Sequence, residues 1–168
     1  MSLSMYDASV PVFTRALEIL ARLLEKGEAH AAAAGQAPAD MLEARLAPDM
    51  YPLTRQIQAA CDAAKFGSAR PAGVAPPSDP DTEASFAELQ ARIRKTLDFI
   101  GAIDRAAYDE AATRPVTVKT GQSEMKFTGR DYLLGFAVPN FFFHVVTAYD
   151  ILRHKGVQIG KRDYLGLS

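Results

Sequence analysis

Two histidines on one predicted helix, His144 and His154, are the side chains of this 168-residue chain best suited to chemistry. Imidazole changes charge near neutral pH and ligates metals through either ring nitrogen. His144 shares a helical stripe with Ala137, Phe141, Ala148 and Ile151, so it faces the interior or its edge. A buried imidazole needs a hydrogen-bond partner. One reading is a satisfied core histidine, paired with a tyrosine, an aspartate or a backbone carbonyl. The other is the polar base of a small-molecule pocket, to which Tyr51, Arg55, Asn140 and Tyr149 would contribute.

His154 ends the same helix, where a protonated imidazole favours the negative helix terminus. Asp150, four residues earlier, shares its face. That spacing suits an ordinary surface pair and also two ligands of one divalent metal such as Zn or Ni. His144 and His154 cannot share an ion, because ten residues of helix separate them by about 15 Å and metal–nitrogen bonds are about 2 Å. His30 lies in an alanine-rich terminus and is expected to be solvated. The single cysteine, Cys61, excludes an internal disulfide and any multi-cysteine metal site, and reads as a small buried hydrophobe. There is no glycine-rich phosphate loop, nucleophile elbow or paired acidic signature. No cofactor is therefore expected, with a metal on Asp150 and His154 as the alternative.

The bulk composition is that of a globular domain, with 48% apolar and 23% charged residues and a net charge of −1. That charge gives no reason to expect nucleic acid or an anionic membrane as partner. No uninterrupted apolar run reaches the roughly 18 residues of a membrane span. A single domain over residues 1–168, in a reducing cytoplasm, is the expectation.

The elements that must position these residues read as follows. Tyr6, Val10, Phe13, Leu17, Leu20 and Leu24 make the inner stripe of a first helix. Ser4 and Asp7 are spaced as a capping box, Pro11 places the start near Ser9 or bends the helix, and Gly27 or Gly35 ends it. A short helical turn is predicted around Asp40 to Leu46. Residues 49–65 read as a second long helix, with Asp49 as cap and Pro52 in its first turn. Residues 66–80, rich in Gly, Pro and Ser, read as a long loop. Phe86, Leu89, Ile93, Leu97 and Ile100 stripe a third helix, capped by Asp81 or Thr82 and ended near Gly101. The β-favouring runs Val116–Val118 and Met125–Phe127 predict a small hairpin. Thr128 and Asp131 cap the fourth helix, Pro139 should kink it, and Gly156 ends it. The tail from Val157 reads as an extended strap. The run Phe141, Phe142, Phe143 covers too much of the helix circumference to face one neighbour.

Loop length bears on topology. The second helix, about 17 residues, is about 25 Å long, whereas a loop of about 15 residues reaches about 50 Å. The loop can return along the whole bundle, so the third helix can run parallel to the second. An all-α, up-down-down-up four-helix bundle is the predicted fold, with the hairpin before its last helix.

Three segments carry a family resemblance: MYDASVPVF, DMYPLTRQIQAACDAAK and PNFFFHVVTAYDILRHKGVQIGKRDYLG. Together they resemble an uncharacterised bacterial branch, a domain of unknown function, of the DinB/YfiT-like superfamily. The resemblance implies an up-down-down-up four-helix bundle, often a homodimer. Better-known members bind a divalent metal through three histidines, one on the second helix and two spaced by four near the end of the last, and some transfer low-molecular-weight thiols. His154, before Lys155-Gly156, matches the last of the three. The position four earlier is Asp150, and no histidine occurs between Ala31 and Phe143. Two functions follow as expectations. The first is a metal-free binding or regulatory protein with a small pocket near His144. The alternative is a DinB-like metal-dependent enzyme, for thiol transfer or hydrolysis, with a degenerate metal site.

Overall fold

The computed structural model describes residues 3–121 and 123–167. The chain is mostly helical, with one two-stranded hairpin. The first helix, α1 (Val10–Ala33), is preceded by a separate turn in which the Asp7 amide donates to Ser4 Oγ at 3.1 Å. Pro11 stands in the first turn of α1, where its missing N–H costs nothing, so the helix starts after Ser9 without a bend. It runs through Gly27, which faces Leu152. A short α2 (Pro38–Leu42) contributes Met41 and Leu42 to the core.

The second long helix, α3 (Leu53–Ala72), departs from the sequence reading at both ends. Pro52 occupies the N-cap position and Asp49 makes no cap. At the far end the helix continues seven residues past Lys65, through Pro71, and stops at Gly73, whose φ of 71° suits glycine. Tertiary contacts hold these last turns against their weak local preference. Tyr108 donates to the Ser68 carbonyl at 2.8 Å, and Arg70 donates to the Tyr132 hydroxyl at 3.0 Å.

The remaining loop, 74–85, returns along α3. Lys65 holds Asp79 at 2.6 Å, Gln58 donates to Glu83 at 2.8 Å, and Arg55 pairs with Asp81. With Asp81 so engaged, the cap of α4 (Phe86–Gly101) falls to Ser85, whose hydroxyl accepts from the Glu88 amide at 3.2 Å. Arg92 of α4 reaches Asp62 of α3 at 2.8 Å, and Lys95 reaches Asp79, the partner of Lys65. Rising numbers pair with rising numbers, so α3 and α4 run in the same direction. Gln90 donates to the Ala21 carbonyl at 2.8 Å while Phe86 lies beside Gly27, so α1 and α4 run oppositely.

The strands β1 (Pro115–Thr120) and β2 (Ser123–Thr128) pair antiparallel where the β-favouring runs predicted, with Val116 opposite Phe127 and Val118 opposite Met125. Val116 and Val118 are buried. Thr128 Oγ1 then accepts from the Asp131 amide at 3.2 Å and starts a continuous 26-residue helix. Its parts are α5 (Gly129–Tyr132), a π-helical turn (Leu133–Ala137) and α6 (Val138–His154). Pro139 cannot donate to the Gly135 carbonyl and crowds it, and the wider π turn directly upstream accommodates both effects. By length and composition this helix is apolar enough to cross a membrane. Its inner stripe, including Leu133, Ala137, Phe141 and Ile151, is buried in the core. His144 pairs with Gln56 while Tyr132 pairs with Arg70, so this helix runs against α3.

Gly156, at φ 93°, ends α6. Val157 and Ile159 are buried in an extended segment, as the sequence reading has it, but the tail then forms a helical turn, α7 (Lys161–Tyr164). Asp163 makes that turn possible by accepting from the Gly160 amide at 2.7 Å, and it also pairs with Lys26 of α1.

Candidate functional site

His144 sits on the side of α6 that faces α3. Its Nδ1 lies 2.8 Å from Oε1 of Gln56, a buried contact. The Gln56 amide nitrogen donates to the Tyr51 carbonyl at 3.2 Å, which orients the amide so that its oxygen faces the imidazole. Nδ1 therefore carries the proton, and Nε2 is the ring's acceptor. Nε2 has no protein partner among the described residues and is not sealed from solvent. Burial lowers the His144 pKa below the ordinary imidazole value, and the positive charge of Arg55 lowers it further. Both effects favour the neutral ring.

Around this imidazole lies an open cavity of about 230 Å³, lined by Asp49, Met50, Tyr51, Gln56, Phe143 and His144. Tyr51 is near parallel to the imidazole, with ring centroids 6.5 Å apart and an interplanar angle of 14°. Phe143 meets it edge-on at 5.3 Å. Arg55 lies 5.5 Å from the centre of the Tyr51 ring, with its charge engaged by Asp81. The loop 74–85 thus fixes Arg55, and Arg55 steadies Tyr51. Lys65 and Arg92, both buried, pin that loop through Asp79 and Glu83.

The five residues singled out in the sequence are placed unequally. His144 and Tyr51 line the cavity, and Arg55 stands behind Tyr51. Asn140 is exposed one turn earlier on α6 and does not line it. Tyr149 packs edge-on against Tyr164 at 5.8 Å, on the tail side of α6. Gln56, which fixes the imidazole, was missed. A signal for it existed: Gln56 lies three residues after Leu53 and four before Ala60, on the same inner stripe.

Asp150 and His154 are exposed on the last turns of α6. His30 is half-buried rather than solvated, near the Gly156 turn. Among the described residues no three His, Cys, Asp or Glu side chains lie close enough to hold one ion. The donors present therefore do not fit a three-histidine metal centre. Cys61 is buried, and burial pushes its thiol up to about 12, which leaves it almost wholly protonated at neutral pH.

These features define a mostly helical protein with a histidine at the floor of a small cavity. Residues 5–165 match the family model described as a domain of unknown function, DUF1993, and the chain belongs to that family. It is also similar to the crystal structure of a DinB family member protein from Shewanella denitrificans. The two are 39% identical, the match covers 96% of this chain and 91% of that one, and the TM-score is 0.88. No curated protein matches.

Proposed function

We propose that this chain is a metal-free binding or regulatory protein that recognises a small polar molecule at His144. The observation that carries the reading is the His144–Gln56 contact of 2.8 Å, which fixes the proton on Nδ1 and leaves Nε2 as an acceptor beside an open cavity. Such a site suits a ligand with one N–H or O–H donor and a flat face to lie against Tyr51. Among the described residues that line it there is no serine, threonine or cysteine for the imidazole to activate, which favours binding over nucleophilic catalysis. The metal-dependent enzyme reading has only Asp150 and His154 in its favour.

The reading places residues 1–168 in one cytoplasmic domain, a four-helix bundle of up-down-down-up order. Supporting that order are the matched directions of α3 and α4 and the opposed directions of α1 with α4 and of α3 with α6. A homodimer is part of the proposal. What supports it is the apolar outer side of the long helix, where Leu134 is 49% and Val146 38% exposed.

A fragment screen by two-dimensional amide NMR tests the function. Donor-bearing aromatic fragments should perturb Tyr51, Gln56 and Phe143, and binding should be lost in His144→Leu. Hits that persist unchanged in that variant, with its fold intact, refute the proposal. Sedimentation equilibrium tests the dimer: a monomer at all accessible concentrations removes it.

A further inference from the structure

A second cavity, of about 320 Å³, lies between α1, α6 and the C-terminal turn. Its wall is apolar, built from Val12, Ala16 and Ile19 of α1 and from Phe142 and Val145 of α6, with Tyr164 and Leu165 closing one side. Among the described residues that line it, Arg15 is the only charged one. The Arg15 guanidinium donates to the Leu165 carbonyl at 3.1 Å and pairs with no carboxylate among the described residues. A guanidinium has five N–H donors in a planar fork, so one backbone carbonyl leaves most of them open.

The nearby charges point the same way. Arg22, two turns along α1, lies against Gly166 and likewise lacks a carboxylate partner. Asp163, the acid of the C-terminal turn, is engaged by Lys26 and by the Gly160 amide. The groove therefore combines an apolar wall with a mouth where Arg15 has no carboxylate within ion-pair distance among the described residues, Glu18 one turn along α1 included. A wholly apolar ligand would leave that charge unused, and a cation would be repelled by it.

We propose that this groove binds a small amphipathic anion, an apolar body the size of one aromatic ring or a medium-length acyl chain with a carboxylate held by Arg15. The volume stands at the small end of ligand cavities, which limits the body to that size. A carboxylate matches the guanidinium fork in two parallel hydrogen bonds, and at the mouth it keeps part of its hydration. The groove is distinct from the His144 cavity. Phe142 lines the one and Phe143 the other, while Phe141 fills the core, so the three consecutive phenylalanines have three different surroundings.

The test uses the full chain, labelled with ¹⁵N, with 4-phenylbutyrate as probe and 4-phenylbutanol as its neutral match. The carboxylate should perturb Ile19, Val145 and Leu165 saturably and bind at least about tenfold tighter than the alcohol. Arg15→Gln should abolish that preference without changing alcohol binding, and Val12→Trp at the groove wall should weaken both. His144→Leu should leave both unchanged, which separates this proposal from the function proposed above. Equal affinity for the two probes, a preference that survives Arg15→Gln, or perturbations confined to Tyr51 and Gln56 would overturn it. So would a dimer that covers Arg15 and Leu165 at the groove mouth before any probe is added.

Discussion

Gly129 approaches Ala111 so closely that a β-carbon on it would overlap the Ala111 carbonyl oxygen. The next amide, Arg130, donates to the Ala112 carbonyl at 3.1 Å. This contact joins the start of the long helix to the segment before β1, and it sets where the hairpin leaves the helical body. The obstructing atom belongs to the backbone, so no side-chain rotation relieves the overlap. Gly129→Ala should destabilise the protein by about 3 kcal/mol, at the upper end of overpacking costs, as read by urea unfolding. An unchanged unfolding midpoint would show that the hairpin is free to shift.

Asp79 ties Lys65 of α3 to Lys95 of α4. Its burial alone would raise its pKa, but hydrogen bonds from Lys65 and Lys95 outweigh that and bring it down to about 2. A carboxylate whose folded pKa is depressed contributes stability above its unfolded pKa, and that contribution is lost as pH falls through the folded value. The window is therefore from about pH 4 to about pH 2, with about 2 kcal/mol at stake. Asp79→Asn should lower stability at pH 7 and flatten the acid limb of a stability–pH curve. An acid limb identical to that of the wild type would place the acid sensitivity elsewhere.

Much of this arrangement was legible in the residues. The apolar stripes gave all four long helices, because each buries one face against neighbours and so displays a period of 3.6. Val116–Val118 and Met125–Phe127 gave the hairpin, and Thr128 with Asp131 gave the start of the last helix. The failures share a cause. α3 outruns its local signal at Gly67, Ser68 and Pro71 because Tyr108 and Tyr132, distant in sequence, hold its last turns. Ser85 caps α4 instead of Asp81 because Asp81 is drawn to Arg55 and Arg92. At the site, Tyr51 and His144 are legible from residue type and spacing, whereas a glutamine on an apolar stripe, such as Gln56, announces no partner. Helical spacing places a residue on a face but does not say which distant side chain it meets.

Gln56 is the acceptor on which the His144 tautomer depends. Gln56→Leu would leave a buried N–H without a partner, at a cost of about 1–3 kcal/mol, measurable by urea unfolding at pH 7.5. The pH dependence has a definite sign. A histidine with a depressed folded pKa gives its full contribution above the unfolded value of 6.5 and loses it as pH falls from there through the folded value. Stability should decline on acidification below 6.5, and His144→Leu should remove part of that slope. A Gln56→Leu protein as stable as the wild type would mean that the imidazole finds another partner.

Asp150 and His154 offer two exposed donors, and among the described residues no third lies beside them. Elemental analysis of protein purified without chelator should find no stoichiometric transition metal. The Asp150→Ala, His154→Ala double variant should unfold at the wild-type temperature. Near-stoichiometric Zn, Ni or Mn, lost in that variant, would reinstate the enzyme reading.

The most direct measurement is a long-range ¹H–¹⁵N correlation of the imidazole rings followed from pH 8 to pH 5, with His144 assigned by the loss of its signals in His144→Leu. The expected result is a single Nδ1–H tautomer at pH 8 that titrates below 6.5, with Nε2 shifted by a bound donor ligand. An Nε2–H tautomer, or a midpoint above 6.5, would contradict a neutral acceptor held in place by Gln56.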